Sequence, residues 1–211
     1  MFEDRVTAGA KLALRLKEEL PSWRKEEAVV LSIPRGGVVV GGEISRILGL
    51  PHYCLITKKI PSPDSEELAI GAVAEGGIVV WDEELCQRLG VSPQYRQEIV
   101  KKKVLELAKK QEDFKKGAPA LQLEGKVVIL VDDGVATGAT IKAAIEVVAS
   151  FNPGQIIVAV PVIAKDSLEE IKTKVDKVIF LEAPEMFFSV GQFYKNFDQL
   201  SDEKVREILG H

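Results

Sequence analysis

The stretch VILVDDGVATGAT, residues 128–140, runs four apolar residues into two adjacent aspartates and then into a small, Thr- and Gly-rich turn. An apolar run of this length fits a strand covered on both faces, and Ile141 onward reads as helix, so Asp132 and Asp133 stand at a strand's carboxyl end. In an open α/β sheet, ligands bind at that edge. The turn "GVATGAT" offers backbone N–H groups at a helix start, the hydroxyls of Thr137 and Thr140, and side chains small enough for an anion to reach the backbone. A merely solvated strand end would carry acids too, but these follow an apolar run and directly precede an anion cradle.

Working outward, the chain alternates strands and helices. Leu12, Leu16 and Leu20 recur at helical spacing over residues 2–20, and "AVVLSI" at 28–33 reads as a buried strand. "GGVVVGGEISRILGL" carries Ile44, Ile47 and Leu48 on one helical face with Gly49 as a stop, and "HYCLIT" at 52–57 is the next strand. "KKIPSPDSEE" reads as a Pro- and Ser-punctuated acidic loop, and "LAIGAVAEGGIVVW" as two short strands joined at Glu75-Gly76-Gly77. A long helix runs from Ser92 to about Lys116, on the spacing of Val100, Val104, Leu107, Gln111 and Phe114, and breakers at Gly117, Pro119 and Gly125 follow it. Strand "KVVILVDD", helix 139–150, strand "QIIVAVPVI", helix 166–174 and strand "KVIFLE" complete the alternation. Such a pattern predicts an α/β fold, a parallel doubly wound sheet of about five strands with right-handed crossovers. The expected organisation is a single domain over 1–211, with a core at about 28–181, a loop and hairpin at about 60–81, and a C-terminal cap at about 182–211.

Composition narrows the function. At 211 residues, 46% hydrophobic and 28% charged, the chain suits one sizeable core. Its net charge of −4, from 28 basic and 32 acidic residues, leaves no overall footprint for nucleic acid or an anionic membrane. No segment has the length of a membrane span, and the N-terminus lacks the pattern of a signal peptide, so a cytoplasmic protein is expected. Cys54 and Cys86 have no metal-ligand spacing and read as reduced thiols. With only His52 and His211 available, a His-dependent triad or metal cage does not fit; His52 reads as packing.

Two carboxylates beside a phosphate cradle suit a phosphorylated sugar, whose hydroxyls the acids can accept hydrogen bonds from. No Gly-Lys-Ser/Thr occurs, which excludes a Walker loop, and "GGVVVGG" does not spell the dinucleotide fingerprint G-x-G-x-x-G. The four apolar residues, Asp132-Asp133, two variable residues and Ala136-Thr137-Gly138-Ala139-Thr140 resemble the phosphoribosyl-pyrophosphate signature of type I phosphoribosyltransferases. The resemblance spans the strand order from residue 28 to about 181 and is strongest to bacterial and archaeal members of unassigned substrate. It implies a five-stranded parallel core, a flexible loop after the second strand and a hood that contacts the acceptor base.

The resemblance carries roles to particular residues. Residues 136–140 would hold the 5-phosphate, and Asp132 and Asp133 the ribose hydroxyls and, directly or through water, Mg²⁺. "SIPRGG" at 32–37 sits where the pyrophosphate loop belongs, so Arg35, Gly36 and Gly37 would bind the leaving group with Arg35 as a bidentate cation. "ITKKIP" at 56–61 resembles the basic pair before the flexible loop. Lys58 and Lys59 point to opposite faces if extended, and position favours Lys58. Ala136 replaces the aspartate that 6-oxopurine transferases place before Thr-Gly, so this chain resembles the adenine and orotate types there; the loop acids Asp64, Glu66, Glu67 and Glu75 are candidate proton carriers, none assigned. Phe188, Ser189, Gln192 and Tyr194 could recognise a base, though an apolar cap on the sheet explains the same composition.

The implied reaction is transfer of a 5-phosphoribosyl group from phosphoribosyl pyrophosphate to a nitrogenous base, with Mg²⁺ as cofactor and pyrophosphate as product. No nucleic-acid or membrane partner is expected, and a homodimer is what the family commonly shows. The rival is a sensor that binds phosphoribosyl pyrophosphate or a nucleotide without transferring anything; the Lys-rich helix 101–116 is the one surface that would favour it.

Overall fold

The structure is a computed structural model that describes residues 1–20, 27–74, 77–114 and 121–210, with side chains at all of these except 67 and 109–114. The expected hairpin junction at Glu75-Gly76, the breakers at 117 and 119, the lysines at 115 and 116, and His211 lie outside that description, as do the side chains of Glu67, Lys109, Lys110, Gln111 and Phe114. The main sheet is five-stranded and parallel, in the order β2-β1-β6-β7-β8. Its strands are β1 (Ala28–Ser32), β2 (His52–Cys54), β6 (Val127–Val131), β7 (Gln155–Val162) and β8 (Lys177–Glu182).

Alternate strand residues go to opposite faces, and each face finds its own helices. Val30, Ile129, Val131 and Ile157 pack with Leu12 and Leu16 of α1 (Arg5–Glu19) and with Val40 and Ile44 of α2 (Gly36–Leu48). The intervening residues Val29, Leu31, Val128, Leu130 and Val158 pack with Ile141, Ala144 and Ile145 of α5 (Ala139–Ala149) and with Leu168 and Ile171 of α6 (Lys165–Lys172). Coverage on both faces is why these strands are near-continuous apolar runs. Gly9 lets α1 and α2 meet closely, because an added Cβ would sit 2.9 Å from the Val40 carbonyl oxygen.

Residues 58–67 correct the expectation of a loop, while two strands stand within 68–81 where a hairpin was expected. A three-stranded antiparallel sheet forms from β3 (Thr57–Ser62), β4 (Ser65–Ala74) and β5 (Val79–Trp81), in the order β3-β4-β5. The predicted strand 52–57 divides accordingly: β2 ends at Cys54, and Thr57 already belongs to the second sheet. Pro61 suggested a loop, but the register shifts on either side of it, and such an irregularity tolerates a residue that donates no ladder bond. Tyr95 donates to the Pro61 carbonyl at 2.9 Å, and Ser62 Oγ closes the turn onto the Ser65 carbonyl at 3.2 Å. Ile60, Ile70 and Val73 pack with Ile99 and Leu107 of the long helix α4 (Pro93–Phe114) and with Val205 of α7 (Asp202–Leu209). A short helix α3 (Glu83–Arg88), capped by Asp82, precedes α4 and had no periodic signal.

His52 has the expected packing role. It lies under α2, where Ser32 Oγ and His52 Nε2 share a 2.8 Å hydrogen bond and Gly41 leaves them room. Burial pushes its pKa down to about 4 from 6.5, so the folded state keeps the imidazole neutral while the unfolded chain protonates it. The unfolded state therefore binds more protons between about pH 6.5 and 4, and stability falls as pH drops through that window. Denaturant titrations across this range should show a loss of up to about 3 kcal/mol in the parent and a clearly smaller one in His52→Gln. Equal losses would place the acid sensitivity elsewhere.

Candidate functional site

The site is built where the carboxyl ends of β1 and β6 lie side by side. Their parallel register pairs Ser32 with Val131, so the segment after β1 and the aspartates after β6 emerge together. The Pro34–Arg35 peptide bond is cis, and α2 begins at Gly36 with Arg35 as its N-cap. There is no room for side chains at the start of α2. A Cβ on Gly36 would overlap Asp133 Oδ2, and one on Gly37 would lie 2.8 Å from the Val131 carbonyl oxygen and 2.9 Å from Asp132 Cα. The start of α2 is thereby held against the acidic pair.

Neither aspartate is simply solvated. Asp132 Oδ1 accepts from the Asp133 amide at 2.8 Å. Burial, reinforced by the neighbouring Asp133 charge, raises the Asp132 pKa well above the usual carboxylate range. Asp133 Oδ2 accepts from Arg5 Nε at 2.7 Å, in an ion pair whose side chains are only 11% and 14% exposed. The Asp133 carbonyl accepts from the Tyr194 hydroxyl at 2.6 Å, and burial raises that phenol's pKa.

The turn after the aspartates leads directly into the start of α5. Gly138 caps α5 with φ +73°, a left-handed conformation that glycine adopts without a Cβ penalty. Thr137, Ala139 and Thr140 are exposed around it. The turn rests on α6: Ser167 Oγ donates to the Ala136 carbonyl at 2.6 Å, and an added Cβ on Gly138 would meet Ser167 Oγ and Lys142 Cε at 3.3 Å.

The basic residues are placed less simply. Arg35 donates from Nη1 to the Leu200 carbonyl at 2.7 Å and stands 3.6 Å from Asp202, so its side chain engages the C-terminal segment. Within β3, Lys58 pairs with Val73 and Lys59 with Ala72. Val73 belongs to the cluster under α4, whereas Ala72 belongs to the cluster that includes α5. Directly paired antiparallel residues share a face, so Lys58 faces α4, where it lies 3.6 Å from Glu106, and Lys59 faces the side of the cradle-bearing helix.

In the C-terminal cap, the polar groups weighed as base readers have other partners here. Ser189 and Gln192 form a capping box on the 3₁₀ turn Val190–Phe193, and the Gln192 amide also donates to the Met186 carbonyl. Tyr194 is buried beneath Asp133, which leaves Phe188, 80% exposed, as the open ring of that stretch. Asp64, at the β3–β4 turn, is exposed, as is Glu66.

A metal cage is not formed among the described residues, where no cluster of three His, Cys, Asp or Glu side chains occurs. Two carboxylates with one oxygen taken by Arg5 suit a hard ion that arrives on a phosphate ligand with its own waters. Two residues escaped the sequence reading. Arg5 lies 128 positions from Asp133, and Ser167 lies 31 from Ala136; neither sits in a motif.

The chain is 36% identical to "Putative phosphoribosyl transferase Rv0571c" of Mycobacterium tuberculosis over 209 residues, which is 99% of this chain and 46% of that protein. It thus spans about half the length of the curated relatives it matches. The crystal structure of TT1426 from Thermus thermophilus superposes with a TM-score of 0.89 at 37% identity, covering 99% of this chain and 97% of the other. AQ2163 from Aquifex aeolicus, at 14% identity and a TM-score of 0.51 over 84% of this chain and 73% of its own, shares the fold. The phosphoribosyl transferase domain model matches residues 3–198, and with the relatives' identity over nearly the whole chain this shows that the protein belongs to the phosphoribosyl transferase domain family.

Proposed function

We propose that the protein transfers the 5-phosphoribosyl group of phosphoribosyl pyrophosphate to a nitrogenous base. The observation that carries this reading is the placement of Asp132 and Asp133 at the sheet's carboxyl edge, pressed against the start of α2 and running directly into the capped start of α5. Two helix starts offer unsatisfied amides to two phosphate groups, and the carboxylates between them offer acceptors to a sugar's hydroxyls. A ligand with a phosphorylated ribose and a pyrophosphate at C1 has that order of groups.

In this reading, residues 136–140 hold the 5-phosphate and Asp132 and Asp133 orient the ribose. The amides of Arg35, Gly36 and Gly37 receive the pyrophosphate, with Lys59 as the favoured lysine and Arg35 exchanging Leu200 for the ligand. The C1–oxygen bond breaks, its electron pair leaves with pyrophosphate, and the acceptor nitrogen forms the new bond to C1 as its proton departs. The loop amides and cations stabilise charge growing on the leaving group, and the rest of the site contributes positioning. Mg²⁺, near Asp132 and Asp133 and largely hydrated, would neutralise pyrophosphate charge. No covalent protein nucleophile is needed.

Incubation with phosphoribosyl pyrophosphate, Mg²⁺ and each common nucleobase should release pyrophosphate with at least one base, and chelation should abolish it. Binding without base-dependent release would instead describe a sensor. Arg35→Ala should weaken pyrophosphate binding roughly tenfold to a hundredfold while leaving ribose 5-phosphate nearly unchanged, as calorimetric titration of both ligands can show. Equal losses for the two ligands would mean that Arg35 only supports the C-terminal segment.

A further inference from the structure

We infer that Arg5 is a positioning residue for the ribose end of this site, acting through Asp133; the inference rests on the reading just given. Arg5 opens α1, whose start is fixed by Asp4 accepting from the Thr7 amide at 2.7 Å. Its guanidinium is held on three sides. Nε donates to Asp133 Oδ2 at 2.7 Å, Nη1 donates to the Asp198 carbonyl at 3.0 Å, and Cζ lies 3.8 Å from the centre of the Phe197 ring. Residues 193–196 are in turn bonded to the chain start, through Phe2 N to the Phe193 carbonyl, Lys195 N to the Phe2 carbonyl and Asn196 N to the Glu3 carbonyl.

A guanidinium so fixed determines which way the Asp133 carboxylate points. With Oδ2 committed, the remaining oxygen is the one that a ribose hydroxyl can reach, and it cannot rotate away without breaking the ion pair. Arg5 also offsets one of two adjacent negative charges where an anionic ligand must approach. The same pair explains Gly36: a Cβ there would meet both Asp133 Oδ2 and Arg5 Nε, the latter at 3.0 Å, so the start of α2 can approach only as glycine. An ion pair this enclosed contributes little net stability relative to apolar packing, whereas its geometry is specific.

The test combines Arg5→Met, which keeps an unbranched apolar stem beside Phe197 but loses donor and charge, with Arg5→Lys, Asp133→Asn and the Arg5→Met/Asp133→Asn double variant. Ribose 5-phosphate and pyrophosphate are each titrated calorimetrically, with thermal melts to confirm folding. Arg5→Met should weaken ribose 5-phosphate roughly tenfold, change pyrophosphate by less than about twofold, and add little to Asp133→Asn in the double variant. Arg5→Lys should recover part of the loss, and it carries the test by itself if the Met variant fails to fold, with a smaller loss again confined to ribose 5-phosphate. Additive losses, equal losses for both ligands, or unchanged ribose 5-phosphate binding would overturn the role of Arg5. A parent that binds no ribose 5-phosphate would instead remove the proposed function, and this inference with it.

Discussion

The parallel register of β1 against β6 is the constraint on which the site depends. Because Ser32 stands beside Val131, the segments that leave the two strands must occupy the same space, and only a Gly-Gly start to α2 lets Asp132 and Asp133 fit there. The glycines matter here for the volume they leave open. Bringing a helix start against a carboxylate pair also sets a positive dipole end next to negative charge, which is favourable. The sheet's double coverage supplies rigidity for this arrangement, since both faces of β1 and β6 are packed to near-complete burial.

Gathering two acids at a buried strand end carries an electrostatic cost, and the chain's two termini offset it. The start of α1 brings Arg5 to Asp133, while the C-terminal segment contributes the Tyr194 hydroxyl to the same residue's carbonyl and the Asp198 carbonyl to Arg5. Arg35 is tied to that segment as well, through Leu200 and Asp202. Residues 193–202 thus link the first residues of the chain, the acidic pair and the segment that follows β1. A segment with this many roles at one end of the sheet is more than a cover for apolar surface.

Much of this was legible in the sequence because parallel strands covered on both faces are apolar throughout. β1, β6, β7 and β8 stand within a residue or two of the predicted runs, and the acidic pair and its Thr-Gly turn lie at the predicted edge. The hairpin β3–β4 was hidden by Pro61 and by the turn residues Pro63 and Asp64, which mimic a loop when pairing is unknown. The choice between Lys58 and Lys59 depends on strand pairing, which alternation alone does not supply: only the opposition of Lys59 to Ala72 shows which face each lysine takes. Arg5 left no local trace, because the carboxylate it serves is 128 positions away. Tyr194 and Gln192 show the opposite difficulty: their composition suits recognition of a ring, whereas their hydrogen bonds go to the protein's own backbone.

The central claim is that one crevice has two ends, a 5-phosphate end at the start of α5 and a pyrophosphate end at the start of α2, with the acidic pair between them. Backbone amide shifts in an NMR titration report on both ends separately in a protein of 23.1 kDa. Ribose 5-phosphate should move the amides of residues 136–140 and 132–133, and pyrophosphate those of residues 35–37. Perturbation of the same amides by both ligands, or of neither set, would contradict the account.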